Sequence, residues 1–413
     1  LKSRFQKLLN LKPFVIQPIF MLWALLGIIS GIIAGVYWLI LDFIIHQVSV
    51  FDNWTVIPLM SFAGLMAGLI IHFIGDPGEI HLIVNNIRFN KGKLDPKQNP
   101  SMILSSLFCV AAGGSLGPEA PLVQVTGSTG SWLGKKFNLS GEKLRSMTIA
   151  GMASGFTALF GAPLGGSLFA LEILHHRHAV EYYRAIIPAL VSSSFSFIIF
   201  ALIIHLGLGA TWIIETYEYS GVSDFANVVL YALIATIFGW IFIHTINLFK
   251  KLFQKISVPI YIKTTIGGIS LGIIGFYFPL TRYFGHYEIN TLLGTDFTLW
   301  WLIALLIFKI LAIAITVTSG WRGGFIIPLF FCGATLGLIL NSIFPQINLS
   351  LAIVSCMAAI NACVTRTPMS TTILLATLTG FSYFIPILFA SLTGYFLAPR
   401  MPFIGSQLKR TED

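Results

Sequence analysis

The chain has 413 residues, of which 56% are apolar and 10% are Asp, Glu, Lys or Arg, against about 25% of those charged residues in a typical soluble protein. So few charges cannot cover the surface of a soluble fold this size, and the mean hydropathy of +0.85 points the same way. Soluble enzyme, disordered tail and nucleic-acid binder are excluded together, and the formal charge of +9 reads as membrane topology before it reads as affinity for anionic polymers.

The basic start, Leu1 to Lys12, feeds directly into an apolar run with no A-x-A-like site, so no cleaved signal is expected. In chain order, apolar segments occupy 18–46, 54–74, 101–113, 119–134, 146–160, 163–174, 185–208, 224–249, 257–280, 297–318, 325–344, 350–363, 366–380 and 383–398. Only some reach the ~20 residues that a perpendicular helix needs to cross the hydrocarbon core. The others are short and cut by Gly and Pro. Such pieces meet inside a membrane only where protein buries their ends, and they usually frame a site for an ion or polar substrate. The pattern predicts a polytopic transporter or channel. No polar stretch reaches about 50 residues, the lower end of domain size, so residues 1–413 are expected to form one transmembrane domain without a soluble module.

Basic residues cluster at Lys2/Arg4/Lys7/Lys12, at Arg88/Lys91/Lys93/Lys97 and at Arg400/Lys409/Arg410. Two long spans separate the first two clusters, which puts both on one side, cytoplasmic by the positive-inside rule, and the third suggests the same for the C-terminus. Lys250, Lys251, Lys255 and Lys263 do not fix a side.

Two stretches repeat. GSLGPEAP, 114–121, and GWRGGFIIP, 320–328, each place a second glycine three residues after the first and a proline four or five residues later. Downstream, Met152-Ala153 precedes Pro163-Leu164 by eleven residues, as Met357-Ala358 precedes Pro368-Met369. Two halves, roughly 18–208 and 224–399, therefore share one plan, with a site expected at their interface. Counting spans this broken leaves the sense of the repeat open.

A glycine-rich turn that opens a helix leaves backbone N–H groups without intrahelical partners and the positive end of the helix dipole behind them. That arrangement binds an anion without a full positive charge. The main chain at Gly117, Pro118 and Ala120 in one half, and at Gly324, Phe325, Ile326 and Ile327 in the other, is the candidate anion site. A dehydrated halide met by dipoles binds yet still leaves. The competing reading, glycines for close helix packing, does not explain the acidic residue in the first motif. That residue, Glu119, falls at the start of a helix inside an apolar region, where an ionisable side chain is a functional hypothesis by default. Its carboxylate can take the place of an anion, and protonation would let it swing out. Glu119 reads as gate and proton acceptor, the alternative being a structural helix cap.

These motifs resemble a known family. GSLGPEAPLVQ looks like the Gly-x-Glu-Gly-Pro gating segment of the chloride channel (ClC) family, and SGWRGGFIIP is similar to its Gly-Gly-x-Phe-x-Pro segment. GDPGEI, 75–80, resembles the first signature, Gly-Ser-Gly-Ile-Pro-Glu, and GAPLGGSLFALEI, 161–173, the segment leading to the internal glutamate. The resemblance covers about 18–399. It implies an all-α polytopic membrane protein of two inverted repeats of full and broken helices. It further implies a homodimer with one anion pathway per subunit, and transport of chloride or a similar small anion, passive or exchanged for protons, with Glu119 as external gate. The expected setting is a bacterial inner membrane with both termini cytoplasmic. Fluoride or another anion as cargo, or a non-transporting relative, are the alternatives.

Several positions depart from the family. Gly75 stands where the family has an anion-coordinating serine, and Asp76 beside it is read as a solvent-facing residue of an Asp-Pro turn. The family's coordinating tyrosine falls on Phe381, Ser382 or Tyr383; Tyr383 keeps the phenol and is preferred. Pro118 and Ala120 replace a basic residue and a glycine around Glu119. Arg322 either restores positive charge near the second turn or sits at the membrane interface. The internal proton-transfer glutamate falls on Ile173, and Glu172 before it is turned by about 100° on a helix. His175 and His176 titrate near neutrality but read best as interfacial residues at a helix end. Lys309 is expected to snorkel or pair, with Glu172 as a candidate partner, and Arg366 to order a loop. Cys109, Cys332, Cys356 and Cys363 lack metal-ligand spacing. No cofactor, metal or catalytic constellation is expected.

Overall fold

Glycine and proline punctuate the apolar runs, and helices start and stop at them. The structure, a computed structural model, describes residues 18–78, 92–174, 179–205, 210–217, 221–405 and 407, with main chain alone at 179–183. The first half contains α1 (Pro18–Val48), α2 (Val56–Ile74), α3 (Asn99–Ala111), α4 (Glu119–Lys136), α5 (Gly141–Phe160), α6 (Pro163–Glu172) and α7 (Ala179–Ile204). The second contains α8 (Val222–Lys255), α9 (Ile260–Tyr277), α10 (Glu288–Leu293), α11 (Leu299–Ser319), α12 (Ile326–Ile343), α13 (Leu349–Thr365), α14 (Pro368–Thr379) and α15 (Phe384–Phe396). Among the described residues α1, α2, α7, α8, α9, α11 and α12 are long and apolar enough to cross a membrane. The protein is an all-helical, multi-pass membrane protein.

The packing plan repeats between the halves. α4 lies on α5 as α12 lies on α13, α1 on α7 as α8 on α15, and α5 on α7 as α13 on α15. The halves join where α2 crosses α9 and α6 meets α14. At the first crossing, a Cβ on Gly64 would meet the carbonyl of Thr264, and one on Gly268 the carbonyl of Met60. Only hydrogen lets these backbones come so close, which substitutes for a hydrophobic drive that lipid does not supply.

The central helices are buried almost throughout: every residue of α13 from Ser350 to Thr365 is buried. The outer ones turn apolar side chains outward, such as Ile32, Leu39 and Ile40 on α1 and Leu230, Ile237 and Ile241 on α8. A wet exterior would not tolerate so wide an apolar surface, while a bilayer is its natural solvent.

Helix ends are matched as well. α5 stops at Gly161, in the left-handed region at φ 63°, and Pro163 opens α6. In the second half Arg366 takes the same conformation at φ 60°, two residues before Pro368 opens α14. A side chain there costs about 1–2 kcal/mol. The Arg366 guanidinium donates to the carbonyl of Pro399 and thereby ties down the segment after α15, the loop-ordering role expected of it.

The repeat meets itself at one point. Gly117 N–H donates to the Gly324 carbonyl at 2.8 Å and Gly324 N–H to the Gly117 carbonyl at 2.7 Å, an antiparallel bridge. The glycine spacing had paired Gly117 with Gly323. The structure pairs it with Gly324, which also brings Pro121 and Pro328 into register, each four residues on. Equivalent residues that exchange identical bonds in antiparallel sense mark a local two-fold relation between the halves.

Candidate functional site

The bridge decides which amides face the site. Gly117 and Gly324 spend their N–H groups on each other, so neither offers a donor to an ion, contrary to the expectation from the motifs. Pro118 has no amide hydrogen, nor do Pro121 and Pro328, the third residues of α4 and α12. In each helix this leaves the first two amides, Glu119 and Ala120 on α4 and Ile326 and Ile327 on α12, ahead of the intrahelical ladder. Both helix starts converge on the bridge.

Glu119 sits between them, 1% exposed. Although it belongs to α4, its Oε1 accepts the N–H of Ile327 on α12 at 3.1 Å. The amide of Ile326 and its own amide also face the carboxylate. Oε2 is buried without a hydrogen-bond partner and lies against the bridging glycines: a Cβ on Gly117 or on Gly324 would strike the carboxylate. The residue equivalent to Glu119 in the second half is Ile326, so one carboxylate serves two helix starts. The α12 start is held by Asn361, whose side-chain amide donates to the Ile326 carbonyl at 3.2 Å. Asn361 escaped sequence reasoning, although a lone amide inside the apolar run 350–363 is a usable signal.

A second pair bridges the halves nearby. Arg322 Nη2 donates to Asp76 Oδ1 at 2.7 Å, with the arginine side chain buried. Asp76, exposed and accepting the Gly78 N–H, is the solvent-facing residue of an Asp-Pro turn that the sequence predicts, with an ion pair added, and Arg322 is buried within the protein. Arg322 also lines a small cavity of about 40 Å³ with Leu116, Ala120, Gly323 and Phe325. Gly75 ends α2 at φ 117°, and nothing lies within 4 Å of where its Cβ would be.

Phe325 is a wall between this cavity and a larger one of about 330 Å³, lined by Lys250, Lys263, Ser319, Gly320 and Phe403. Its ring meets Phe403 edge-on at 5.1 Å. Lys250 and Lys263 thus put positive charge beside a cavity whose wall, Phe325, follows the second glycine turn.

Other candidates lie elsewhere. Tyr383 is buried, with its hydroxyl committed to the carbonyl of Glu215 and Ser350 beside it. Ser350 and Asn361 are eleven residues, roughly 16 Å, apart along α13, so Tyr383 does not join the cluster around Ile326. Glu172 caps the start of α14, accepting the N–H groups of Met369 at 3.1 Å and Ser370 at 2.8 Å and the Ser370 hydroxyl. It is not the partner of Lys309, whose ammonium donates to the carbonyls of Thr281 at 3.1 Å and Tyr283 at 2.9 Å, over the Phe331 ring and with Glu288 as counter-charge. Phe381 and Ser382 share the short turn before α15 with Tyr383. The four cysteines are buried and none is in a disulfide. Glu79, His175 and His176 lie outside the described residues.

A family model described as Voltage gated chloride channel matches residues 62–399. A putative chloride channel protein ClcB-like of Ralstonia nicotianae is 27% identical over 84% of this chain and 82% of its own length. A chloride/fluoride channel protein of Pseudomonas syringae is 26% identical over 92% and 83%. The crystal structure of a CLC-type fluoride/proton antiporter superposes with a TM-score of 0.84 over 94% of this chain and 97% of that one, at 19% identity, a likeness of fold.

Proposed function

Because the chain belongs to the voltage-gated chloride channel family, we propose that it carries chloride or a similar small anion across a membrane with Glu119 as the gate. The observation that carries this reading is the Glu119 carboxylate lying on the Ile327 amide of the opposite half. A carboxylate held by a helix start shows what the start prefers, and a halide asks for the same donors. In the occupied state the amides of Ile326, Ile327 and Ala120 would meet the ion. Gly117 and Gly324 act through the bridge that sets the two helix starts at one point.

Protonation of Glu119 removes the charge that ties it to Ile327. The neutral side chain then swings off the glycines, and the ion takes its place. Anion flux therefore rises as pH falls, and a proton moves with the gate. The Pseudomonas relative and the antiporter structure carry fluoride in their names, which makes fluoride the second cargo to measure. Coupling to protons is expected to be weak. The internal glutamate position holds Ile173, and Glu172 is engaged at the α14 start.

The same reading takes 1–413 as one transmembrane domain with halves 18–208 and 224–399, a homodimer in a bacterial inner membrane, and both termini cytoplasmic. The test is efflux from liposomes loaded with chloride or fluoride, followed by asking whether an anion gradient drives protons uphill. Anion efflux above protein-free liposomes supports transport, and uphill proton movement supports exchange. No efflux of either anion sinks the reading.

A further inference from the structure

The transport reading uses main-chain amides for the ion and one carboxylate for the gate, and leaves the buried guanidinium of Arg322 without a task. Its bond to Asp76 joins partners of unequal reach: the arginine side chain is 6% exposed and the aspartate 64%. Water replaces much of what Asp76 loses on leaving such a pair, so the bond is loosely held from that side. The guanidinium has the opposite requirement. Buried, it needs negative charge beside it, and a small anion supplies that as well as a carboxylate does.

The same oxygen, Asp76 Oδ1, also accepts the Gly78 N–H at 2.8 Å, and both bonds lie where water can replace them. The Arg322 main chain stays held, its N–H donating to Cys109 Sγ at 3.3 Å. The space for an ion is there too. Arg322 lines the cavity of about 40 Å³ together with Ala120 and Gly323, which has room for one or two bodies the size of water. At Gly75, next to Asp76, the missing side chain leaves the approach open.

We propose that Arg322 sets the affinity of the pathway for a monatomic anion, and that Asp76 holds this affinity down by competing for the same guanidinium. The proposal rests on the transport reading. An arriving halide accepts from Nη2, Asp76 turns to solvent and exchanges its Oδ1 bonds for water, and the ion lies one residue from the Gly323-Gly324 turn next to Glu119. A charge on a leash thus does what a hydroxyl at position 75 cannot do here.

Chloride titration of the purified full chain by calorimetry tests this, with thermal unfolding checking that each variant folds. Asp76→Asn should tighten binding about fivefold, the range of an exposed ion pair, and Arg322→Gln should weaken it by at least as much. Arg322→Lys should recover part of the loss, and the double variant should follow Arg322→Gln. A folded Asp76→Asn variant with unchanged or weaker binding overturns the proposal, as does a double variant that binds tightly. Wild-type binding and efflux with an affinity indifferent to both residues counts against this proposal alone. No chloride binding and no efflux by the wild type overturns both it and the transport reading.

Discussion

Gly117 and Gly324 exchange a reciprocal pair of main-chain hydrogen bonds, 2.8 and 2.7 Å long, across the interface of the two halves. The bridge consumes the donors that glycine-rich turns would otherwise present. What remains is Glu119 and Ala120 on α4 and Phe325, Ile326 and Ile327 at the start of α12, where the last two face Glu119 of α4. The carboxylate and the helix start that holds it thus come from different halves.

Substitution at the bridge should therefore report on Glu119. A Cβ on Gly117 would strike the Glu119 carboxylate, whereas one on Gly324 would also meet the Glu119 Cβ. Gly117→Ala and Gly324→Ala should each cost about 1–3 kcal/mol by overpacking. Glu119→Ala should relieve most of the loss at Gly117 and less at Gly324, since alanine keeps the Cβ. Thermal unfolding of single and double variants gives the coupling. Additive losses in the Gly117 pair would argue against the contact.

Glu172 offers a contrast between two roles. Its carboxylate caps α14, so Glu172→Gln should cost about 1 kcal/mol through the lost charge at a helix start. Glu172→Ala should cost about 2 kcal/mol, because buried amides lose their acceptor. Neither should alter the proton-to-anion ratio of transport. Loss of proton movement with unchanged unfolding temperature would show a proton-relay role instead.

The positive charge at Lys250 and Lys263 makes a salt-dependent prediction. Replacing both with glutamine should slow anion entry a few-fold at low ionic strength, because steering by fixed charge raises encounter rates. In about 1 M salt, where the Debye length falls to ~3 Å, wild type and variant should converge. Initial efflux rates from liposomes across a salt series decide it, and a difference that persists at high salt would place the effect elsewhere.

Much of the fold is legible in residue order, because Gly and Pro stop helices by local chemistry. Pro163 and Pro368 open α6 and α14, and the short apolar runs are the broken helices they resemble. Glu119 stands out for the same local reason, a carboxylate at a glycine-rich helix start in an apolar chain. Register was harder. Matching glycines alone paired Gly117 with Gly323, while matching Pro121 with Pro328 would have given Gly324. Partners were not legible at all. Asp76 and Arg322 are 246 positions apart, and Lys309 is satisfied by main-chain carbonyls that no side-chain pattern announces. Tyr383 kept the right side chain for an ion contact, but the turn before α15 turns it toward Glu215. The amides lost to the bridge could not be foreseen either, since only the meeting of the halves consumes them.

Whether the Glu119 carboxylate occupies the anion's place on α12 and leaves it when protonated is decided by chloride efflux from liposomes, measured across pH for wild type and Glu119→Gln. Wild-type efflux should rise as pH falls, and the Glu119→Gln variant should be at least as fast as the wild type at low pH and flat across the range. A variant that retains the wild-type pH dependence would contradict gating by Glu119 protonation.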